Sequence, residues 1–412
     1  HMKRIALGQL FAWKSDRNRK PLILRGARQV GKTFLLKEFG KEGFPRCHYL
    51  NFEKVPALAK IFDQDLDPRR IVGEIGAHLS CRINPGEDLL VLDEIGYAPK
   101  ALTSLKYFAE DMPELAVCAA GSLLGLQLGE SSFPVGKVGF LEIRPMSFPE
   151  FLRGTGEEQA ACLLEEWTPA RPFPEILNQR FWDGLKHYLV VGGLPEVVEI
   201  YAGRREQPGE ALALARKRQE ELAVSYVADM AKHAGKINAM HLERVWRSVP
   251  SVLGSRQDGG APRFKFKGIL PGAGRFSQLA GPIDWLATTG LVTKVPEVAG
   301  IRLPLSSQFR ENRFKLYGFD VGMLGAVAGT APESILAYDF GTYKGYLAEN
   351  LVLQELLASG QRVPCCWQEG TAEVEFLLEP MGLVVPLEVK SGWLTQTKSL
   401  RVFDQKYRPP LR

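Results

Sequence analysis

Residues suited to phosphate chemistry occur in three parts of this sequence of 412 residues. The first is Gly26–Thr33, which reads GARQVGKT and fits the pattern GxxxxGK[ST]. The apolar run Pro21–Leu24 precedes it, and Phe34–Phe39, which has helical spacing, follows it. In that context, backbone N–H groups at a helix N-terminus hold phosphate. The segment therefore predicts a binding site for a nucleoside triphosphate, with ATP as the expected ligand.

Two side chains of this phosphate-binding loop have specific expected roles. Lys32 is long enough to reach the β- and γ-phosphates, and the hydroxyl of Thr33 can bind Mg²⁺. Backbone N–H groups along the whole loop complete the expected ATP site. Its residues are Gly26, Ala27, Arg28, Gln29, Val30, Gly31, Lys32 and Thr33.

A pair of acids forms the second set. The apolar run Leu89–Leu92 is typical of a buried parallel strand, and it ends in Asp93 and Glu94. Because ligands bind at the carboxyl ends of parallel strands, Asp93 is expected to hold Mg²⁺ and Glu94 to polarise the attacking water. Ser122 follows a further apolar run, Leu115–Ala120. It is expected either to sense the γ-phosphate or to belong to a simple turn.

Hydrolysis also requires a cation that stabilises the charge on the transferred phosphoryl group. Arg28, Lys137 and Arg144 are candidates within the chain. An arginine from a neighbouring subunit is the alternative, and a homo-oligomer would supply it. The sequence does not choose between these sources.

The third set lies near the end of the chain and consists of Glu349, Glu375, Glu388 and Lys390. Glu349 falls within a helical pattern. Glu375 and Glu388 are 13 residues apart, enough for two antiparallel strands, and period-two alternation puts Glu388 and Lys390 on one strand face. This order is that of the PD-(D/E)xK nucleases, in which carboxylates chelate Mg²⁺ or Mn²⁺ and the lysine orients water. Alternating charges on an exposed strand are the other explanation.

Several longer strings resemble those of a large prokaryotic family of AAA-type ATPases that carry a C-terminal domain of unknown function. They include RGARQVGKT, LLVLDEIG, AAGSLLG, YLVVGGLPEVV and PLEVKSG, so the resemblance extends over nearly the whole chain. It implies an AAA-like ATPase followed by a domain with the fold of the PD-(D/E)xK nucleases, and a shared fold does not by itself imply cleavage. Gly96 departs from the family, which commonly has Gln there. Relatives usually continue past the position of Pro409, so a truncated end is expected.

The alternation of strand-like and helix-like segments predicts an α/β protein with several domains. A helix at His241–Val252, a basic loop, a helix at Phe276–Thr289 and a strand at Gly290–Val295 follow the order of a winged helix. The full prediction is an N-terminal segment with a tag remnant (1–18), a P-loop parallel-sheet ATPase domain (19–150), a helical lid or linker (151–235), a winged-helix-like domain (236–305) and a restriction-endonuclease-like α/β domain (306–412).

Composition limits the classes of protein to consider. The content of hydrophobic residues, 45%, is that of a soluble protein, and no apolar run reaches the length of a membrane span. The six cysteines lack metal-ligand spacing, which predicts reduced thiols, no structural metal and a cytoplasmic location. The net charge is +5, with basic clusters at residues 254–275 and after residue 385. These clusters are either contacts for DNA phosphates or solvated surface.

Two functions are consistent with these patterns. In the first, ATP hydrolysis is coupled to DNA binding, or to metal-dependent DNA cleavage by the C-terminal domain. In the second, nucleotide binding switches a scaffold that recruits a protein partner, and the nuclease-like fold is catalytically inactive.

Overall fold

A computed structural model describes residues 4–122, 136–168, 170–255, 262–337, 343–390 and 398–409. Arg256 and Arg412, which belong to the two basic clusters of the sequence, lie outside the described residues. The chain forms two compact units, residues 1–144 and residues 145–412.

The first unit is built on a parallel sheet of five strands. The strands are β1 (Leu22–Gly26), β2 (Cys47–Asn51), β3 (Leu89–Asp93), β4 (Ala116–Ser122) and β5 (Gly139–Glu142). Their order is β2-β3-β4-β1-β5, so the strand that leads into the phosphate-binding loop lies between β4 and β5. Every residue of β3 is buried, as expected for a parallel strand covered on both faces. The predicted α/β sheet is thus confirmed.

Four helices are described in this unit. They are α1 (Ile5–Ser15), α2 (Lys32–Gly43), α3 (Pro68–His78) and α4 (Pro99–Asp111), with 3₁₀ turns at Pro56–Phe62 and Ile95–Tyr97. The side chain of Asp67 caps α3 by accepting a hydrogen bond from the N–H of Arg69, and Pro68 occupies the first helical position. Apolar residues of α3 and α4 join those of the sheet in one buried core, which holds the acid-bearing strand β3 in place.

The second unit begins with helices. Those that precede its sheet are α5 (Phe148–Gly154), α6 (Glu158–Glu166), α7 (Glu175–Val191), α8 (Pro195–Ala202), α9 (Pro208–Ala234), α10 (Lys236–Leu253) and α11 (Phe276–Thr288). The start of α5 is fixed by a capping box between Ser147 and Glu150. One face of α10 is apolar and buried, and it includes Leu242, Val245 and Val249.

A second sheet of five strands completes this unit. Its strands are β6 (Val292–Val298), β7 (Phe309–Gly318), β8 (Cys365–Glu369), β9 (Ala372–Leu378) and β10 (Val385–Leu387). The remaining helices are α12 (Val321–Val327), α13 (Pro332–Leu336), α14 (Tyr343–Ala358) and α15 (Lys398–Tyr407), with 3₁₀ turns at Leu305–Gln308 and Pro380–Gly382. The order is β10-β9-β8-β6-β7, in which β6 and β8 are parallel and the other pairs are antiparallel.

The strands β6 and β7 lie on either side of the division predicted between residues 305 and 306. They pair with each other over most of their length, and β6 also pairs with β8. The strand at Gly290–Val295, expected as the wing of a winged helix, is therefore part of an interior strand of the second sheet. A division at residue 305 would cut through this sheet, because its backbone hydrogen bonds cross that point. The other domain boundaries stay predictions.

A buried carboxylate, Glu355 on α14, contacts the start of α5. Its Oε1 accepts a hydrogen bond from the N–H of Phe148 at 2.8 Å and lies 3.3 Å from the hydroxyl of Tyr188. Burial raises the pKa of Glu355 to about 7, although both of these contacts lower it. An unfolded glutamate has a pKa of about 4.3. The stability that the protonated acid contributes is therefore complete below that value and is lost as the pH rises through about 7.

Replacing Glu355 with Gln is expected to stabilise the protein above neutral pH and to change little at about pH 4. Glutamine keeps an oxygen acceptor for Phe148 and carries no charge that burial would penalise. The expected gain at about pH 8.5 is up to about 3 kcal/mol. Thermal unfolding at both pH values measures it. Glu199→Gln, at an exposed position of α8, is the matched control, and the same pH-dependent gain there would contradict an effect of burial.

Candidate functional site

The phosphate-binding loop runs from the end of β1 to the start of α2. Gln29 and Gly31 have φ angles of 66° and 90°, in the left-handed region, and Gly31 is the N-cap of α2. A Cβ at Gly26 would overlap the carbonyl oxygen of Ile143, which follows β5. The loop therefore depends on glycine at both ends: Gly26 allows a close backbone approach, and Gly31 turns the chain into the helix.

Lys32 is buried within this loop. Its Nζ donates hydrogen bonds to the carbonyl oxygens of Gly26 at 3.0 Å and Ala27 at 2.7 Å. Burial lowers the pKa of Lys32 to about 8, against the opposite effect of the carboxylates of Glu94 and Asp93. The charges of both acids therefore act on this amine.

Asp93 is the centre of a hydrogen-bond network at the carboxyl end of β3. Its Oδ2 accepts from the hydroxyl of Thr33 at 2.8 Å and from the amide of Asn51 at 3.3 Å, and also from the hydroxyl of Tyr49. Its Oδ1 accepts from the N–H of Glu94 at 3.0 Å. Thr33 and Asp93, which are 60 residues apart in the sequence, therefore meet side chain to side chain.

Tyr49 and Asn51 were not among the predicted site residues. Both lie on β2, which pairs with β3 so that Asn51 is opposite Asp93. Burial, together with the hydrogen bond to Asp93, raises the pKa of Tyr49 to about 12, so its hydroxyl remains a donor. The sequence signal was the alternation of polar residues near the end of β2. That signal points to the site only if β2 is known to lie beside β3.

Glu94 directly follows β3 and has a φ of 52°, in the left-handed region that non-glycine residues seldom adopt. Burial raises the pKa of Glu94, and the charge of Asp93 adds to this, whereas Lys32 and Arg28 lower it. A carboxylate with a raised pKa is a better acceptor for a proton from water than an exposed one. The position suits a general base, and that role stays a prediction.

Ser122 ends β4 directly beside Gly26 of β1 in the sheet register. This places it at the mouth of the loop, and its role as a sensor of the γ-phosphate stays a prediction. Two of the candidate cations are paired with carboxylates: Lys137 with Glu110 at 2.9 Å, and Arg144 with Glu142 at 2.7 Å.

Arg28 is the candidate cation whose charge acts on both Lys32 and Glu94. It lies within the phosphate-binding loop itself. Its role remains a prediction, as do those of Lys137 and Arg144.

The oxygen atoms of Thr33 and Asp93 fit Mg²⁺, a hard cation that prefers hydroxyl and carboxylate ligands. The Oγ1 of Thr33 and the Oδ2 of Asp93 are neighbours at 2.8 Å, as ligands of one cation must be. The chemistry of the donor set therefore agrees with the predicted magnesium ligands.

In the third predicted set, a residue that was not predicted, Lys315, lies at the centre of the contacts. Glu349 on α14 is buried, and its Oε2 accepts a hydrogen bond from the hydroxyl of Tyr317 at 2.6 Å. The same oxygen is 3.2 Å from Nζ of Lys315 on β7, and Lys315 also forms an ion pair with Glu373 on β9. Lys315 is thus held between two carboxylates.

Lys315 is 1% exposed and was missed by the sequence analysis. Burial lowers the pKa of Lys315, but the charges of Glu349 and Glu373 outweigh burial and raise it, so the side chain is a cation. The available signal was a lysine inside the apolar run from Phe314 to Tyr317. A lysine in such a run is buried only when it is paired.

The other members of the set are close to this centre but make separate contacts. Glu375 on β9 accepts a hydrogen bond from the N–H of Val389 at 3.3 Å, and burial, with the charge of Glu349, raises its pKa to about 7. Glu388 and Lys390 lie just past the end of β10 and pair with each other at 2.7 Å. The expected strand through Lys390 is therefore shorter than predicted.

Within the described ranges, no group of three or more His, Cys, Asp or Glu side chains has the arrangement of a metal site. The predicted metal ligands Glu349, Glu375 and Glu388 thus have no counterpart as a set there. Glu349 is paired with Lys315, and Glu388 is paired with Lys390.

A basic cleft lies between α10 and the loop that precedes α11. Its volume is about 1110 Å³. The cationic lining residues are Arg244, Arg247, Lys265 and Lys267, and Ser248, Ser251 and Ser255 add hydroxyl groups. Arg247 is paired with Glu243 at 2.7 Å. We define these residues as the basic cleft.

Comparison with known protein families matches three regions of the chain. The family described as AAA domain matches residues 18–152. Residues 18–152 are thus similar to an AAA domain. This region, called the AAA domain below after that match, contains the phosphate-binding loop and its neighbours Asp93, Glu94 and Ser122. Residues 183–334 match a domain of unknown function (DUF8612), and residues 344–411 match another (DUF4143).

Among solved structures, a Walker-type ATPase of Pyrococcus abyssi is similar at a TM-score of 0.51 and 14% identity, over 79% of this chain and 96% of that chain. This similarity shows the fold. The ORC1 protein of Aeropyrum pernix in complex with DNA has a TM-score of 0.32 and 15% identity, over 82% of this chain and 91% of that chain. AMPPCP-bound DnaA from Aquifex aeolicus has a TM-score of 0.27 and 15% identity, over 57% and 86%.

Among the curated proteins, none is significantly similar to the chain in sequence. Within the described ranges, every helix is too short or too polar to span a lipid bilayer.

Proposed function

We propose that the AAA domain binds ATP with Mg²⁺ and hydrolyses it. The observation that carries this proposal is the direct contact of Thr33 with Asp93 beside a buried Lys32 and the base Glu94. Residues from the loop and from β3 thereby surround one point at the carboxyl edge of the sheet, where ligands of α/β proteins bind.

Each residue then has a distinct part in phosphoryl transfer. Backbone N–H groups of the loop hold the β- and γ-phosphates, and Lys32 neutralises their charge. Thr33 and Asp93 would hold Mg²⁺, which would stabilise the negative charge that develops on the phosphate oxygens. Glu94 accepts the proton of the attacking water, and Ser122 and Arg28 contact the γ-phosphate.

We further propose that ATP turnover is coupled to nucleic-acid binding by the second unit. The basic cleft supports this, because Arg244, Lys265 and Lys267 are exposed cations around a space large enough for a phosphate backbone. Its serine hydroxyls are suitable donors to phosphate oxygens. Binding would depend on charge and not on base sequence.

For the C-terminal domain we favour binding without cleavage. A metal-dependent nuclease needs carboxylates that are available to a divalent cation. Here Glu349 and Glu373 are both engaged with Lys315. The nuclease-like fold therefore serves as a scaffold in this proposal.

The test is the ATPase rate of the full chain with single-stranded, duplex and branched DNA, run beside cleavage assays in Mg²⁺ and Mn²⁺. We expect DNA to stimulate turnover and to remain intact. The double variant Lys265→Ala/Lys267→Ala should lose the stimulation and keep the basal rate. Lys217→Ala, at an exposed position on α9, is the matched control. If DNA does not stimulate hydrolysis, the result would instead favour a nucleotide-dependent switch for a protein partner. If the protein cleaves DNA and Lys390→Ala abolishes the cleavage, the result would support the nuclease hypothesis.

A further inference from the structure

A second cluster of reactive side chains lies at the edge of the first sheet opposite to the phosphate-binding loop. It consists of His48 at the start of β2, Asp88 just before β3 and Cys81 in the segment after α3. The Nε2 of His48 is 2.9 Å from Oδ2 of Asp88, and the Sγ of Cys81 is 3.4 Å from Nδ1 of His48. The three side chains therefore form a line with the imidazole in the middle.

The chemistry of the three groups fixes the direction of these hydrogen bonds. A carboxylate only accepts, so Nε2 of His48 carries the hydrogen that it donates to Asp88. Nδ1 of His48 is then the acceptor, and it faces the thiol of Cys81. A nucleophile, a base in contact with it and an acid that orients the base are the parts of an activated thiol.

Burial separates the roles of the three residues. His48 is 4% exposed and Asp88 is 1% exposed, whereas Cys81 is half-buried. The N–H of Asn84 donates to Oδ2 of Asp88 at 2.8 Å, while Oδ1 of Asp88 is buried without a hydrogen-bond partner in the described part of the chain. The base and its orienting acid are thus shielded from water, and the nucleophile is partly accessible.

The backbone around Cys81 is constrained. Ser80 has a φ of 52°, in the left-handed region, and the N–H of Cys81 donates to the carbonyl of Gly76 at 2.9 Å. A Cβ at Gly76 would lie 2.8 Å from the carbonyl oxygen of Cys81, so this approach requires glycine. Strained backbone of this kind persists where the surroundings fix a side chain in place.

The other cysteines provide an internal comparison. Burial raises the pKa of Cys47 to about 11 and that of Cys365 to about 12, and it also raises the pKa values of Cys118 and Cys366. Such thiols are poorly reactive, because the thiolate is the nucleophile. Cys162 is half-buried like Cys81, and its Sγ is 4.0 Å from the guanidinium of Arg153, which cannot accept its proton. That guanidinium is paired with Glu158 and Glu165, which offset its positive charge at the thiol. Cys162 is therefore the reference for a partly exposed thiol without a base.

We propose that Cys81 is an activated thiol that forms a mixed disulfide with small anionic disulfides. The Cys81 proton moves to Nδ1 of His48, and the thiolate attacks one sulfur of the incoming disulfide. A new S–S bond forms as the old one breaks, and the leaving thiolate takes the proton from His48. Arg82, which follows Cys81 in the chain, and Arg46, whose guanidinium donates a hydrogen bond to the carbonyl oxygen of Arg82 at 3.4 Å, are both exposed and attract anionic partners. This proposal does not depend on ATP hydrolysis.

The test treats the native full chain with dithionitrobenzoate, an anionic aromatic disulfide, and follows each cysteine by mass spectrometry of peptides after short reaction times. Cys81 is expected to react at least about tenfold faster than Cys162. In concentrated urea this ratio should fall to about one, because the contact with His48 is lost. Equal rates for Cys81 and Cys162 in the native protein would overturn the proposal.

Variants of the base and its orienting acid separate activation from simple exposure. His48→Gln and Asp88→Asn should slow Cys81 to about the rate of Cys162. His78→Gln, an exposed histidine at the end of α3, is the matched control and should leave the rate unchanged. ATP affinity reports whether each variant is folded. A folded His48→Gln protein in which Cys81 still reacts quickly would exclude His48 as the base. If the variants do not fold, the comparison of native with urea-treated wild-type protein decides whether Cys81 is activated.

Discussion

Replacing Glu94 with Gln is expected to lower the rate of ATP hydrolysis at least about a hundredfold without weakening ATP binding. Glutamine keeps the size and the hydrogen-bonding oxygen of the side chain, but it cannot take a proton from water. Burial and the charge of Asp93 raise the pKa of Glu94, which makes the native carboxylate a stronger base than an exposed one. Phosphate release at saturating ATP measures turnover, and titration with a fluorescent ATP analogue measures affinity.

Glu53 provides the control for this experiment. Its charge also acts on Glu94, and its Oε1 accepts a hydrogen bond from the hydroxyl of Tyr97 at 2.9 Å. Glu53→Gln removes the same charge from the same region, and turnover should stay within about threefold of wild type. Equal losses in both variants would indicate a general effect of charge. Normal turnover in Glu94→Gln would exclude Glu94 as the base.

Replacing Lys315 with Met is expected to destabilise the second unit by about 3–5 kcal/mol. Methionine fills a similar volume but leaves Glu349 and Glu373 buried without their shared cation. Like charges in a shielded site cannot both stay ionised at low cost. Thermal unfolding measures the loss. Mn²⁺ should raise the melting temperature of the variant, because its carboxylates become available, and should leave that of the wild type unchanged.

The matched experiment removes the acids as well. The triple variant Lys315→Met/Glu349→Gln/Glu373→Gln carries no unpaired charge at this site and should recover most of the stability. A single variant as stable as the wild type would show that Lys315 does not compensate the two acids. Failure of the triple variant to recover would assign the loss to packing around Lys315.

The nucleotide site could be predicted well because its signals are local. The loop, its helix and the apolar strand before Asp93 each occupy a few consecutive residues, and the context of strand, loop and helix is required by the chemistry. Tyr49 and Asn51 could not be found in this way. Their contact with Asp93 exists only because β2 pairs with β3. The order of strands in a sheet cannot be predicted from any short segment of the sequence.

The second unit was harder to predict for the same reason. Its sheet joins β6 with β8, which are separated by β7 and by three of the described helices, so the strand at Gly290–Val295, considered by itself, resembled the wing of a winged helix. The spacing of Glu388 and Lys390 indicated an active-site strand, but the strand ends before them. Lys315, which decides the electrostatics of this region, is distant in sequence from both of its partners.

The network at Asp93 has a consequence for the order in which ligands arrive. Thr33, Tyr49 and Asn51 all donate to a single oxygen of this carboxylate, so the protein itself solvates the charge. A free divalent ion would have to displace these donors and gain little else in return. An ion already chelated by the phosphates of ATP would arrive together with the contacts that those phosphates make with the loop. The site should therefore discriminate between free and chelated magnesium, and respond to the supply of the nucleotide complex rather than to the concentration of the metal.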